Sequence, residues 1–193
     1  DLAREVSDAI IGIRIHFEEG WQDRMIKAVE SGAKVIHLLA DLHGRGSDGT
    51  FVTELFKEAH MLLLEQGRRD TVTLLGGGGI VGADHVPKAI ISGLDAVALD
   101  LPVLFALQGR SNGSLRQRAK VDGTLPRELD QEWAEQRLTN LCGSWRDQLL
   151  EILGAMGIRE VRRLRGEFGR SMVVRHLEDE AFEGIAGYVG GGC

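Results

Sequence analysis

The chain has 193 residues, 43% hydrophobic and 27% charged: the size of one domain, or of one domain with an appendage, and a composition that excludes disordered, collagen-like and disulfide-framework chains. Aromatics make up 5% and 26 Gly stand against 3 Pro, so the core is aliphatic and several backbone positions need turns or close approaches that favour glycine. A formal charge of -6 argues against nucleic acid and anionic membrane surfaces as partners, and no run reaches the roughly 18 apolar residues of a spanning helix.

Up to Arg110 the chain alternates short apolar runs with longer amphipathic ones. Ile10 to Phe17 (IIGIRIHF) is apolar and β-branched enough for a buried strand, and Gly20 to Ser31 follows at helical spacing until Gly32 stops it. Lys34 to Ala40 predicts a second strand, Asp41 to Thr50 a polar glycine-containing loop, and Phe51 to Gln66 a helix closed by Gly67. Thr71 to Leu75 predicts a third strand that runs into Gly76-Gly77-Gly78-Gly79. Its helix covers Asp84 to Ser92, with Asp84 as N-cap and Pro87 in the first turn, where a missing N–H costs nothing. Asp95 to Leu99 is a fourth strand and Leu101 to Gln108 a fourth helix opened by Pro102. Four apolar strands separated by helices imply parallel pairing with both faces of the sheet covered.

Beyond Arg110 the rhythm changes. Residues 111–124 (SNGSLRQRAKVDGT) form a polar connector with no evident strand, and Asp130 to Met156 a long amphipathic helix with room to bend near Gly143. Shorter helices are expected over Arg159 to Arg165 and Leu177 to Ile185, and a fraying tail over Gly187 to Cys193. The division is therefore a βα region, 1–110, and a connector with a helical extension, 111–193. The basic cluster Arg159, Arg162, Arg163, Arg165 and Arg170 reads as a solvated face paired with Glu160 and Glu167. Cys142 and Cys193 are too few for a metal ligand set, and fit a reducing cytoplasm without disulfides. Asp1 in place of an initiator Met implies processing or truncation.

The glycine run carries the sharpest chemical signal. Glycines at the C-terminal end of a buried strand, before a helix, leave backbone N–H groups uncovered by side chains and suited to a phosphate. Gly77-x-Gly79-x-x-Gly82 satisfies the dinucleotide fingerprint, with Asp100 near the place of a ribose-binding acid. That fingerprint normally opens its domain, whereas two βα units precede it here. In a (βα)8 barrel the phosphate site follows strands seven and eight, so the four units read as the C-terminal half of a TIM-type barrel, an α/β fold.

The run Asp70 to Gln108 (DTVTLLGGGGIVGADHVPKAIISGLDAVALDLPVLFALQ), with Ile11 to Phe17, Val35 to Gly46 and Leu138 to Gly166, resembles the FMN-binding domain of the glutamate synthase family. The resemblance implies the second half of an FMN-binding barrel that converts 2-oxoglutarate and ammonia to glutamate with electrons from a donor. It places Arg14 where the family has a lysine at the flavin pyrimidine end, where a cation would stabilise charge on the reduced ring. Gly78 and Gly79, with Gly77 before them, match the glycines that receive the FMN phosphate. His37 matches a polar strand residue at the cofactor, and Asp41, His43 and Arg45 lie on the loop that would orient a carboxylate substrate. After its last strand the family is glycine-rich, whereas this chain has Ala98-Leu99-Asp100-Leu101, and the family's clustered cysteines for an iron–sulfur centre are missing. Half a barrel leaves open strand edges, so another chain, a further segment or a second copy is expected to complete it. A flavin-free structural subunit and a barrel enzyme for a small phosphorylated metabolite are the alternatives.

Overall fold

The apolar runs become four parallel strands in a computed structural model of the chain, which describes residues 10–112 and 122–171. Strands β1 (Gly12–His16), β2 (Val35–Leu39), β3 (Thr73–Gly77) and β4 (Ala96–Val97) lie side by side in chain order. Helices α1 (Trp21–Glu30), α2 (Val52–Glu65) and α3 (His85–Ile91) make the crossovers, and α4 (Leu101–Ala106) follows β4. A helix at every crossover is what parallel pairing of neighbouring strands requires.

Side chains alternate across each strand. Ile15 of β1, Ile36 and Leu38 of β2 and Leu74 of β3 turn toward the helices and are buried. From the helices, Trp21, Met25 and Ala28 of α1 and Val52, Leu55, Phe56, Ala59 and Leu63 of α2 meet them at the i, i+3, i+4 spacing of a helix face. Full burial of one such side chain contributes roughly 1.5–3 kcal/mol. The opposite face behaves differently. Gly12, Arg14, His16, Thr73 and Ala96 are exposed there, and Val35, His37, Leu39 and Leu75 are half-buried. Helices therefore cover one face and not both, because four strands are too few to close a cylinder whose inward side chains pack on one another.

Several boundaries differ from the sequence expectation for local reasons. Residues Arg69–Thr71 form a 3-10 turn, so β3 starts later than expected and takes in Gly76 and Gly77 as ladder residues opposite Leu38 and Leu39. The ladder of β4 shortens to Ala96–Val97, although Ala98 N–H still donates to Gly76 O at 2.7 Å. Asp84 sits at the N-cap of α3 without capping it, because its carboxylate is taken by Lys88 at 2.6 Å. The connector expected to lack strands contains an antiparallel ribbon of β5 (Arg110–Asn112) and β6 (Asp122–Thr124). Helix α5 (Gln131–Ala155) runs unbroken through Gly143, capped by Asp130, whose carboxylate accepts the Trp133 N–H at 2.7 Å. The stretch Arg159 to Arg165 makes only a 3-10 turn, Val161–Leu164. The expected helix Leu177 to Ile185 and the tail from Gly187 lie outside the described residues.

The N-terminal ends of β3 and β4 are tied by a buried arginine. Arg69, 2% exposed, donates to His60 Nδ1 (2.9 Å), Val72 O (2.9 Å), Gly93 O (2.7 Å) and Asp95 Oδ2 (2.9 Å). The same Asp95 accepts the Leu74 N–H at 2.8 Å and Arg165 Nη1 at 2.6 Å, while Arg165 also reaches Asp70 at 3.1 Å. Arg162 pairs with Glu160 as its spacing suggests, but Arg165 leaves the basic cluster to anchor the segment after α5 on the sheet. Leu153 and Leu164 join the same apolar core.

Candidate functional site

The open face of the sheet brings the strand residues singled out in the sequence into one place. Arg14, His37, Leu75 and Ala96 stand in register across the four strands, and His16, Leu39 and Gly77 form the next row toward the C-terminal rim. Arg14 is exposed and His37 half-buried. The buried Nε2 of His37 has no hydrogen-bond partner, an unusual state for a buried polar atom. Burial pushes the His37 pKa down, the Arg14 and His16 charges push the same way, and Asp100 opposes them. The imidazole is thus held neutral at pH 7, with one nitrogen unserved.

Gly77 lies directly beside that nitrogen on the neighbouring strand. A Cβ at Gly77 would stand 3.3 Å from His37 Nε2, 3.0 Å from Leu39 Cδ1 and 3.5 Å from the Ala98 Cβ. A glycine there keeps any side chain from standing between His37 and Ala98. The four glycines therefore do different work, although the sequence presents them as one signal. Gly76 faces the helices, where a Cβ would collide with Leu94 and Phe56. Gly78 and Gly79 adopt left-handed φ of 95° and 70°. A Cβ on Gly79 would come within 2.6 Å of Gly44 Cα, and one on Gly78 within 2.7 Å of Asp41 O, because the loop after β2 lies against this turn. Among the described residues, the N–H groups of Gly78, Gly79 and Ile80 donate none of the turn and loop hydrogen bonds.

That loop is shaped by its own polar groups. Asp41 Oδ1 accepts the His43 N–H at 2.9 Å and the Arg45 N–H at 2.8 Å, an Asx-type turn. Arg45 donates to Gly49 O at 2.8 Å, with its guanidinium 5.8 Å from the centre of the Phe51 ring. Asp41 and Arg45 line, with His16 and Glu18, a cleft of about 250 Å³ at the C-terminal ends of β1 and β2. His43 is half-buried on the same loop but is not among the residues lining that cleft. One residue that the sequence reading did not assign to this face belongs to it. His16 follows Arg14 by two positions, so strand alternation alone places both on one face. Asp100, expected at the end of the fourth strand near a ribose, is the N-cap of α4, with Oδ1 accepting the Leu101 N–H at 2.6 Å.

No family model matches the chain. Over 114 residues it is 33% identical to the archaeal glutamate synthase (NADPH) of Methanocaldococcus jannaschii, a stretch covering 56% of this chain and 22% of that protein. The archaeal-type glutamate synthase of Thermotoga maritima is 34% identical over 113 residues, covering 54% of this chain and again 22% of the relative. The chain is related to the glutamate synthases. It spans less than a quarter of the length of those relatives. Among solved structures, a mutant flavocytochrome b2 with benzoylformate shares the fold with a TM-score of 0.60 over 95% of this chain and 42% of its own, at 21% identity. A mandelate oxidase mutant with the monooxide FMN adduct does so with a TM-score of 0.54 over 86% of this chain and 43% of its own, at 22% identity. At that identity the likeness carries fold: the glutamate synthase-like chain is the C-terminal half of a TIM (βα)8-type barrel, followed by a helical extension.

Proposed function

We propose that this chain is the flavin-binding half-barrel of an FMN-dependent oxidoreductase of the glutamate synthase type. The remaining strands would come from a further segment, a partner chain or a second copy. In this reading residues 1–110 hold the cofactor, residues 111–193 form the connector and extension, and the setting is cytoplasmic. The observation that carries the reading is the unserved His37 Nε2 beside the missing side chain of Gly77, on the open face of a sheet related to the glutamate synthases. The edge of a planar, hydrogen-bonding ring would serve that nitrogen. His37 would meet the ring edge, Gly77 would let the ring approach, and Arg14 would stabilise negative charge at the pyrimidine end. The free N–H groups of Gly78 and Gly79 would receive the phosphate. FMN, when bound, supplies two-electron transfer to and from the substrate. Asp41, His43 and Arg45 stand at the rim, where a carboxylate substrate such as 2-oxoglutarate would be oriented, and a donor protein would deliver the electrons. Asp41 would act there through the loop backbone that it holds.

The visible spectrum and native mass of the purified protein, with and without added FMN, test this. Flavin absorption, or quenching of added FMN fluorescence, together with a mass above that of one chain is the expected result. A colourless protein that leaves FMN fluorescence unchanged refutes it, and co-purification with a partner but without flavin would instead support the structural-subunit reading that the Asp100 carboxylate favours.

A further inference from the structure

What holds the glycine turn ready for an anion goes beyond the flavin reading but rests on it. Glycine at 78 and 79 makes the left-handed turn possible and, for the same reason, loose, since neither residue has a side chain to fix its peptide planes. The crossing loop braces the turn at one point, where a Gly79 Cβ would come within 2.6 Å of Gly44 Cα. His85, the first residue of α3, holds it at a second. Its Nδ1 lies 3.1 Å from Gly79 O and 3.3 Å from the Val81 nitrogen. One ring nitrogen cannot serve both, because it donates to a carbonyl only when it carries a proton and accepts from an N–H only when bare. The shorter distance assigns it as donor to Gly79 O. The peptide between Gly79 and Ile80 is trans and planar, so a carbonyl held by His85 turns the Ile80 N–H the opposite way. That N–H donates none of the turn and loop hydrogen bonds among the described residues. Gly79, Ile80 and His85 also border a cavity of about 150 Å³ walled by Val52, Phe56 and Ala89, so the turn is incompletely packed there and relies on the imidazole. The charged neighbours on that helix, Asp84 and Lys88, bond each other at 2.6 Å instead.

We propose that His85 is a positioning residue for a phosphorylated ligand: by holding Gly79 O through Nδ1 it orients the Gly79–Ile80 peptide so that the Ile80 N–H, with those of Gly78 and Gly79, is presented to the phosphate. The imidazole acts through the backbone and not by contact with the ligand. Losing it leaves the fold and the ring contacts in place and frees that peptide to rotate, so the loss falls on the phosphate alone.

Fluorescence titrations of FMN and of riboflavin, which share a ring and differ in the phosphate, separate this role from a general packing role. His85→Leu removes both ring nitrogens and is expected to weaken FMN about tenfold, the scale of one lost hydrogen bond, while riboflavin changes less than about twofold. His85→Asn places an amide at the position of Nδ1, where it can donate to Gly79 O, and should keep FMN within about threefold of the native protein. His85→Gln, polar but with its amide one bond further out, should resemble the Leu variant and replaces it in the comparison if that variant fails to fold. Equal weakening of both flavins, no loss of FMN binding with Leu and Gln, or a loss with Asn as large as with Leu overturns the role of His85 and leaves the flavin reading intact. Binding of neither flavin to the native protein overturns both.

Discussion

Replacing Arg69 with Met tests whether the base of the sheet is held by one buried guanidinium. The change keeps the volume and removes every donor, leaving Val72 O and Gly93 O without Arg69 and Asp95 with only Arg165 and the Leu74 N–H. An orphaned buried polar group costs about 1–3 kcal/mol, and breaking a buried ion pair by removing one member costs about 3–5 kcal/mol. The expected loss is about 3–5 kcal/mol, since Asp95 keeps one guanidinium. For a chain of this length that lowers the melting temperature by roughly 6–20 °C. Urea denaturation at pH 7.5, with an unchanged slope, is the assay. Arg69→Lys keeps the charge but serves only part of the fork-shaped set of acceptors, so it should recover less than half of the loss. A loss under about 1 kcal/mol for Arg69→Met, or full recovery with Lys, would refute the argument.

Gly76→Ala drives a methyl group into Leu94 and Phe56 and should cost about 1–3 kcal/mol by denaturation, whereas Gly77→Ala, whose methyl meets the flexible end of Leu39 and stands beside His37, should leave stability within about 1 kcal/mol and abolish quenching of added flavin. His37→Leu removes the unserved nitrogen and should stabilise the fold by up to about 1 kcal/mol while weakening flavin binding, read by the same two assays. His60 is 6% exposed, and burial first and Arg69 second push its pKa down. The folded state then binds fewer protons than the unfolded chain, so stability should fall as pH drops below about 6.5 toward the lowered value. His37 shifts in the same direction, so the pH slope of the urea midpoint is best read in the His37→Leu background, where a flat profile from pH 7.5 to 5 would contradict the role given to His60. Asp95 adds loss only at more acid pH: burial works to raise its pKa, but the Leu74 N–H, Arg165 and Arg69 together hold it low, and their contribution disappears as pH falls below about 3.9.

The βα order and the helix-facing core were legible in the residues. Apolar runs such as Val35 to Leu39, and the 52, 55, 56, 59, 63 pattern of α2, can bury themselves in few other ways. Helix ends at Gly32, Gly67 and Gly93 were legible for the same local reason, since each glycine takes a left-handed turn just after a helix. The ribbon of β5 and β6 was not, because its residues have no apolar alternation and pair through the backbone, with the Thr124 hydroxyl donating to Arg110 O at 3.4 Å.

For the site, sequence alone located the region and could not divide its labour. Four adjacent glycines look equivalent in one dimension, yet Gly76 packs against Leu94 and Phe56, Gly77 keeps a side chain from standing beside His37, and Gly78 and Gly79 accept the crossing loop. Local chemistry, set by period and turn residues, is written in neighbours along the chain. Which face a residue meets, whether Asp95 binds Arg69 and Arg165 from distant segments, and whether a histidine nitrogen is left without a partner depend on contacts between residues far apart in sequence, which only the folded sheet brings together.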